Sequence, residues 1–241
     1  MRILAIGLGG AGGRLADTLL RMDRAGRVRC VEASAIDTDA AALRQLQAIP
    51  EEHRLYYPPV GPEAIDLEQV LFHLRRQDAS GVDALLLCLG AGGETAALAP
   101  AFAETLRASF SEPVIALAAL PQRSEGQRIA AAASSALDGL RAATDAVLLF
   151  DNETFAGRRD AGSRDPSPAL YAALNAEAAR RVGLLLRAGE YGGEVGQLVV
   201  DAGEVLGTLV GQGFAAVGYA FEPLHEHWLT RLLGRPVPFL S

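Results

Sequence analysis

The sequence of 241 residues contains no lysine, and all 22 of its basic side chains are arginines. Nucleoside triphosphatases of the P-loop class rely on a lysine that contacts the β- and γ-phosphates. The composition therefore excludes this class of protein. A nucleoside triphosphate could bind only at a site that is built differently.

Segments that cross or target a membrane are also lacking. No apolar run approaches the ~20 residues that a membrane-spanning helix needs, and no basic segment is followed by an apolar stretch and a cleavage site. The two cysteines, Cys30 and Cys88, lie in apolar runs, which is typical of buried thiols in a reducing compartment. The net charge of -7 argues against a general nucleic-acid partner. We therefore expect a cytoplasmic protein.

Apolar residues make up 50% of the chain, which suits a sizeable core in one large domain. Short apolar runs alternate with stretches of helical periodicity. The predicted strands cover residues 2–7, 28–36, 83–89, 113–119, 145–150 and 214–221. The predicted helices cover residues 11–24, 39–47, 66–77, 95–109, 126–143 and 168–190, with a short one from about 203. Loops are predicted over 48–62 and 156–168. This alternation predicts an α/β fold, a mainly parallel sheet between two helix layers, with ligands at the carboxyl ends of the strands.

The first predicted strand runs into a glycine-rich turn, with five glycines among residues 7–13, and a helix follows at once. Glycines let the backbone approach a ligand, and a helix N-terminus offers free N–H groups to phosphate. Gly7, Gly9 and Gly12, with Asp37 at the end of the next strand, also match the dinucleotide-binding fingerprint. The turn by itself therefore leaves an NAD(P)-dependent oxidoreductase open.

A second glycine-rich turn, residues 90–93, follows the strand at 83–89. A simple dinucleotide fold does not need it. Two helix N-termini would then face one crevice, an arrangement that suits a polyphosphate held from two sides.

At this point the chain resembles the tubulin/FtsZ superfamily in its CetZ form. The motifs follow family order over about residues 2–221. The two phosphate loops correspond to Gly7–Arg14 and Ala91–Ala97, and the loop between them to Ile36–Asp39. The sugar loop corresponds to Leu120–Gly126 and the base loop to Phe150–Glu153. The start of the long central helix corresponds to Tyr171–Asn175, the catalytic loop to Val200–Val205 and the strand beyond it to Gly218–Ala220.

The resemblance implies that the chain binds GTP or GDP, with Mg²⁺ as a possible companion and no metal site made of protein ligands. The implied phosphate contacts are Gly9, Gly10, Ala11, Gly12, Gly13, Asp39, Gly92, Gly93 and Thr95. Glu125 is the implied ribose contact, although it could also be a solvated residue at a helix start.

Asn152 and Asn175 are the implied guanine contacts. Guanine offers N–H donors and an acceptor O6 on one edge, and an asparagine amide carries both acceptor and donors. Tyr171 lies four residues before Asn175, hence on the same helix face, and could stack on the base. Without the family register, Asn152 could be a turn residue, Asn175 an ordinary polar position and Tyr171 a core aromatic.

Asp201 and Glu204 match the acids of the family's catalytic loop, by which one subunit completes the nucleotide site of the next. A carboxylate can orient a water beside a γ-phosphate. The same spacing before an apolar helix resembles a capping box, and the two roles are compatible.

Three departures from the family pattern stand out. Glu94 takes the place of the first threonine in the GGGTGTG loop, so it either turns outward or meets a cation, because a carboxylate repels phosphate. The stretch 56–62 lacks the glycine-rich turn that senses the γ-phosphate. The chain stops at Ser241, so we expect a nucleotide-binding domain over 1–191, a catalytic-type loop, helix, strand and tail over 192–241, and no second family domain.

Three functions are compatible with these observations. The first is a self-assembling cytoskeletal protein for cell shape or division, which hydrolyses GTP between its own subunits or with a related FtsZ/tubulin-like subunit. The second is a hydrolysis-deficient scaffold of the same fold that binds a partner, which Glu94 and the missing sensor turn favour. The third is the oxidoreductase, which leaves Asn152, Tyr171 and Asn175 without a role.

Overall fold

The computed structural model describes residues 1–57, 67–76, 81–158, 167–188 and 200–219. Within these residues, seven parallel strands form one sheet in the order β3-β2-β1-β4-β5-β6-β7. The strands are β1 (Ile3–Leu8), β2 (Val31–Asp37), β3 (Arg54–Tyr56), β4 (Ala84–Gly90), β5 (Val114–Leu120), β6 (Ala146–Asp151) and β7 (Gly213–Ala215). The helices are α1 (Gly9–Arg24), α2 (Ala40–Arg44), α3 (Leu67–Arg76), α4 (Ala99–Ser109), α5 (Gln127–Ala143), α6 (Asn152–Arg158), α7 (Pro168–Arg187) and α8 (Ala202–Leu209).

Alternate residues of the strands enter two separate cores. In β1, Ile3 and Ala5 belong to one core, and Leu4 and Ile6 belong to the other. The first core is closed by α1, α2, α7 and α8, and the second by α3, α4 and α5. Because both faces are covered, the strands are almost wholly apolar, as parallel strands usually are. The predicted three-layer α/β fold with a long central helix, α7, is confirmed.

The order of the strands reverses between β1 and β4. The chain builds β2 and β3 on one side of β1 and then returns to add β4 on the other side, with Leu8 beside Leu89 at the carboxyl ends. At such a switch point the turns after the two strands leave toward opposite faces and open a crevice. The two glycine-rich turns therefore lie side by side.

Two short elements were missed by the sequence analysis. The strand β3 lies inside the predicted loop 48–62, and α6 lies where the predicted base loop enters residues 156–168. Three and seven residues are too few to show a periodicity. A local signal for α6 does exist, since the Asp151 carboxylate accepts the N–H of Glu153 at 3.0 Å and caps the helix.

The predicted helix over 95–109 is wrong in its first part. Glu94–Leu98 is a 3-10 segment, and the α-helix begins only at Ala99. The reason is Pro100, whose ring would clash with the carbonyl of residue 96 if the α-helix started earlier. The second glycine turn is thus followed by a 3-10 segment and not by the N-terminus of an α-helix.

The last predicted strand, over 214–221, is also shorter than expected. The strand β7 ends at Ala215, and residues 216–219 are not in a strand. The predicted domain boundary after residue 191 and the loop residues 159–166 lie outside the described part of the chain. None of the helices in the described ranges is both long enough and apolar enough to span a membrane.

Candidate functional site

A cleft of about 290 Å³ opens at the carboxyl ends of β1, β4, β5 and β6. Seven of its lining residues are among the predicted contacts: Ala11, Gly92, Gly93, Glu125, Asn152, Tyr171 and Asn175. Four more were not among the predicted contacts. Arg14, Gly90 and Pro121 lie within motifs that the sequence analysis named, and Ala119 lies outside them. The structure therefore brings residues from five separate stretches of the chain to one cavity.

The first glycine-rich stretch forms the start of α1. The residue before the helix is Leu8, whose side chain cannot accept a hydrogen bond from the N–H groups of the first turn. The first turn also carries no acidic side chain. The first four N–H groups of a helix have no partner within the helix, and the helix dipole makes this end electropositive. Ala11 of this first turn lines the cleft, so the free N–H groups at the start of α1 are suited to bind an anion there.

Close packing explains why this turn needs glycines. A Cβ on Gly12 would lie 2.1 Å from the carbonyl oxygen of Cys88, so α1 can approach β4 only without a side chain there. Gly9 has a φ of 70°, and a Cβ on it would meet the Thr95 hydroxyl at 2.1 Å. The Thr95 side chain, two residues after the second glycine turn, thus packs on the first turn.

The second glycine turn is held by the backbone. The N–H of Gly93 donates to the carbonyl of Gly90 at 3.1 Å, and the N–H of Ala91 donates to the carbonyl of Ala119 at 2.9 Å. Gly92 and Gly93 face the cleft, whereas the exposed Glu94 does not line it. Glu94 lies instead with Arg128 in a neighbouring cavity of about 590 Å³. Gly92 and Gly93 also line this second cavity, which therefore adjoins the cleft, and a contact of Glu94 with a cation stays a prediction.

The opposite end of the cleft is formed by side chains. Asn152 is the first residue of α6 and is only 7% exposed, and Asn175 lies on α7. Both amides line the same cavity, together with the Tyr171 ring one turn before Asn175. The arrangement offers donors, acceptors and an aromatic face to a planar ligand.

Glu125 and Tyr171 join across the cleft. The Glu125 carboxylate Oε1 accepts the Tyr171 hydroxyl at 3.0 Å and the N–H of Gln122 at 2.7 Å. Burial, followed by the hydrogen bond to Glu125 and the negative charge of Glu125, raises the pKa of Tyr171 to about 12. One Glu125 oxygen is therefore already engaged, so the predicted sugar contact would use the other oxygen or replace Tyr171.

Arg14 lines the cleft as well, and the sequence analysis placed it at the end of the first phosphate loop without predicting a contact for it. Its guanidinium lies beside Gly10, where a Cβ would be 3.3 Å from Nη1. Asp37 is also near, and burial raises the pKa of its carboxyl, while the N–H groups of Asp39 and Thr38 and the charge of Arg14 oppose this shift. Arg14 lies four residues after Gly10 on α1, hence on the same face of the helix, and this spacing is the sequence signal that places its side chain beside the glycine turn.

The other predicted phosphate contacts lie outside the lining of the cleft: Gly9, Gly10, Gly12, Gly13, Asp39 and Thr95. Asp39 caps α2, since its carboxylate accepts the N–H of Ala41 at 2.7 Å. Their contact with a ligand stays a prediction.

Asp201 and Glu204 form a reciprocal capping box at the start of α8. The Asp201 carboxylate accepts the N–H of Glu204 at 2.8 Å, and the Glu204 carboxylate accepts the N–H of Asp201 at 3.1 Å. Both residues are exposed, and neither lines the cleft of the same chain. The structural role is present, and the catalytic role stays a prediction.

Comparisons with known proteins agree with this geometry. A family model described as the GTPase domain of the tubulin/FtsZ family matches residues 2–158, and one described as the C-terminal domain of tubulin-like CetZ matches residues 168–236. Tubulin-like protein CetZ5 of Haloferax volcanii is 33% identical over 245 residues, which cover 94% of this chain and 61% of that protein. The chain thus spans about three fifths of the length of the curated relatives it matches.

Two solved structures from Haloferax volcanii are similar as well. The GDP-bound monomer of CetZ1 has a TM-score of 0.76 and 28% identity, and the match covers 89% of this chain and 66% of that one. The GTPγS-bound protofilament of CetZ2 has a TM-score of 0.73 and 31% identity, with 86% and 63% covered.

Proposed function

This chain belongs to the tubulin/FtsZ family, and from that premise we propose that its cleft binds GTP and GDP and that two copies of the chain together hydrolyse GTP. The observation that carries the proposal is the shared lining of one cavity by Asn152, Tyr171 and Asn175 at one end and by Ala11 and Gly92 at the other. This order matches a base at the side-chain end and phosphates at the backbone end.

At the base end, the amides of Asn152 and Asn175 read the guanine edge. An asparagine oxygen accepts from N1–H or N2–H₂, and an asparagine NH₂ donates to O6. Adenine reverses the donor and acceptor at the corresponding position, so a buried amide would be left unpaired against it. Tyr171 supplies the ring on which the base stacks.

At the phosphate end, the N-terminus of α1 and the Gly90–Gly93 turn surround the β- and γ-phosphates, and Arg14 supplies the positive charge that lysine provides in other nucleotide sites. Among the described residues, no group of three His, Cys, Asp or Glu side chains could hold a metal ion. Mg²⁺ keeps several waters and binds phosphate oxygens in many nucleotide sites, and we propose the same arrangement here.

Hydrolysis is proposed to occur between subunits. Asp201 and Glu204 are exposed on one copy and would reach the open cleft of the next, where a carboxylate orients a water and takes its proton as the oxygen attacks the γ-phosphorus. The bond from the γ-phosphorus to the oxygen that it shares with the β-phosphate breaks. This oxygen stays with GDP, and inorganic phosphate is released. The CetZ2 relative forms a protofilament with GTPγS bound, which supports self-association as the mode of assembly.

The broader role we propose is cytoskeletal, in cell shape or division, in the cytoplasm. The two free cysteines are buried, which fits a reducing compartment. The oxidoreductase alternative receives no support from the comparisons, which point to tubulin-like relatives.

Binding is tested with purified chain and GDP, ADP and NADH, measured by calorimetry. We expect a preference for GDP over ADP, and a loss of affinity for GDP of about 10- to 100-fold in Asn175→Ala, because a buried amide contact is worth ~1–3 kcal/mol. Arg180→Ala on the exposed face of the same helix is the control. A preference for NADH, or equal binding of GDP and ADP, would contradict the proposal.

Hydrolysis is tested by phosphate release at increasing protein concentration. Catalysis between subunits predicts a specific rate that rises with concentration. Asp201→Ala removes the carboxylate and the helix cap, whereas Asp201→Ser keeps an acceptor for the cap. If the carboxylate acts in catalysis, both variants lose turnover but only Asp201→Ala loses ~0.5–2 kcal/mol of stability. A rate that is flat with concentration, or full turnover in Asp201→Ser, would refute the mechanism.

A further inference from the structure

Arg181 is a buried cation outside the lining of the cleft. It lies on α7 with 7% of its surface exposed. Its guanidinium carbon is 4.3 Å from the centroid of the Phe155 ring and 4.8 Å from the centroid of the Tyr219 ring. It also forms an ion pair with Glu177, one turn earlier on the helix. Burying a charge is costly unless it is paired. Here the carboxylate pairs with the guanidinium, and the two rings add cation–π contacts.

The two rings belong to segments that are distant from each other in the chain, α6 and the residues after β7. Phe155 lies on α6, one turn after Asn152, and stacks on Phe150 of β6 with ring centroids 4.6 Å apart and planes inclined by 8°. Tyr219 lies beyond β7, in the part of the chain that follows the Asp201 cap of α8. Arg181 therefore connects α7 both to α6 and to the segment after β7.

This connection lies between the two helices that carry the asparagines. Asn175 precedes Arg181 on the same helix by six residues, which is ~9 Å along the axis. Asn152 precedes Phe155 by three residues, on the same face of α6. The contact between the guanidinium and the Phe155 ring is therefore one of the contacts that join the two helices on which the amides lie.

We propose that Arg181 is a positioning residue for base recognition, which holds α6 on α7 so that Asn152 and Asn175 present one set of hydrogen-bonding groups to the purine. The inference rests on the proposed guanine site. It assigns to Arg181 no contact with the nucleotide. We expect its loss to change the ratio of the affinities for different bases and not the affinity that the phosphates contribute.

The experiment compares GDP with inosine diphosphate, which lacks the 2-amino group, and with ADP. Dissociation constants are measured for the full chain and for Arg181→Met, Arg181→Lys and Phe155→Leu, with Arg180→Met on the exposed side of α7 as the matched control. In Arg181→Met we expect the preference for GDP over both other nucleotides to fall about tenfold, the equivalent of one poorly aligned hydrogen bond. Arg181→Lys should recover part of it, since a lysine can pair with Glu177 and approach a ring.

A purely structural role predicts a different result. Partial unfolding would weaken all three nucleotides by the same factor and leave their ratios unchanged, and this result in Arg181→Met would overturn the inference. If Arg181→Met does not fold, Phe155→Leu decides, because it keeps an apolar side chain and removes only the ring. Unchanged ratios in Phe155→Leu would then overturn the inference.

Failure of the guanine site itself is recognised separately. If the unmodified chain does not prefer GDP over ADP, the proposed function is wrong and the inference falls with it. If the unmodified chain prefers GDP and both ring-contact variants keep that preference, only the role of Arg181 is wrong.

Discussion

The two ends of the cleft are built in different ways. The end at Ala11, Gly92 and Gly93 presents backbone, and beside it Gly12 has no room for a side chain, because the Cys88 carbonyl oxygen would lie 2.1 Å from an added Cβ. The end at Asn152 and Asn175 presents side chains held on two helices. A change at the backbone end should therefore act through folding, whereas a change at the side-chain end should act through ligand choice.

The largest effect is expected at the backbone end, from Gly12→Ala. The new Cβ would lie 2.1 Å from the Cys88 carbonyl oxygen, which belongs to a central strand and cannot move aside. We expect a loss of more than ~4 kcal/mol of stability, measured by urea denaturation followed by circular dichroism. Gly157→Ala is the control, since a Cβ there meets open space on α6 and should stabilise the helix by ~0.5–1 kcal/mol. A melting temperature for Gly12→Ala equal to that of Gly157→Ala would refute the packing argument.

Arg14→Met tests whether a side chain also matters at the backbone end. Of the residues that line the cleft within the described ranges, Arg14 is the one with a basic side chain. A charge-assisted hydrogen bond is worth ~1.5–3 kcal/mol, so we expect GDP and GTP to bind about 10- to 100-fold more weakly. The fold should remain stable. Arg21→Met, on an exposed position of the same helix, should bind as the unmodified chain does, and equal affinities of the two variants would exclude a role for Arg14.

Tyr171→Phe tests the hydrogen bond that joins the two sides of the cleft. The pKa of Tyr171 is about 12 in the folded chain, above its ordinary value, because burial and Glu125 oppose the phenolate. The stability that this group contributes is present in full below the unfolded pKa of ~10 and is lost as the pH rises through 12. Between pH 10 and 12 the unmodified chain should lose stability more steeply than Tyr171→Phe in urea denaturation. Parallel losses in the two proteins would contradict the assignment.

The smallest effect is expected from Glu94→Gln. Glu94 is exposed and lines the neighbouring cavity together with Arg128, and it is not among the residues that line the cleft. We expect the affinity for GTP to change by less than about twofold, since exposed charges are screened by solvent. A much tighter binding of GTP by Glu94→Gln would show that the carboxylate does repel the phosphates.

The long elements were predictable and the short ones were not. Apolar runs such as Ala84–Gly90 predict buried strands because both faces of the sheet are covered, and Pro168–Arg187 has a capping serine, a proline and a helical period. The strand at Arg54–Tyr56 depends instead on its partner, whose Asp37 pairs with Tyr56. The 3-10 segment before Pro100 could have been found, because the proline forbids an α-helix over the preceding turn.

In the site, motifs of known order pointed to Asn152, Tyr171 and Asn175, all of which line the cavity. The sequence does not show which groups meet across it. The bond between Tyr171 and Glu125 joins residues 46 positions apart, and no local rule relates them. The position of Glu94 depends on the turn at Gly90–Gly93, which is held by the hydrogen bond from Gly93 to Gly90 and by the one from Ala91 to Ala119 on the neighbouring strand.

By itself, the sequence determined the α/β class, the two glycine turns at strand ends and the exclusion of a P-loop site, because these follow from apolar periodicity, from the absence of side chains and from the absence of lysine. Only the tertiary structure decided which end of the cleft carries charge, that Arg14 lines it, and that Arg181 lies between Phe155 and Tyr219. The physical reason is that backbone preferences act between neighbours in the chain, whereas the burial and pairing of a charge depend on every segment that packs around it.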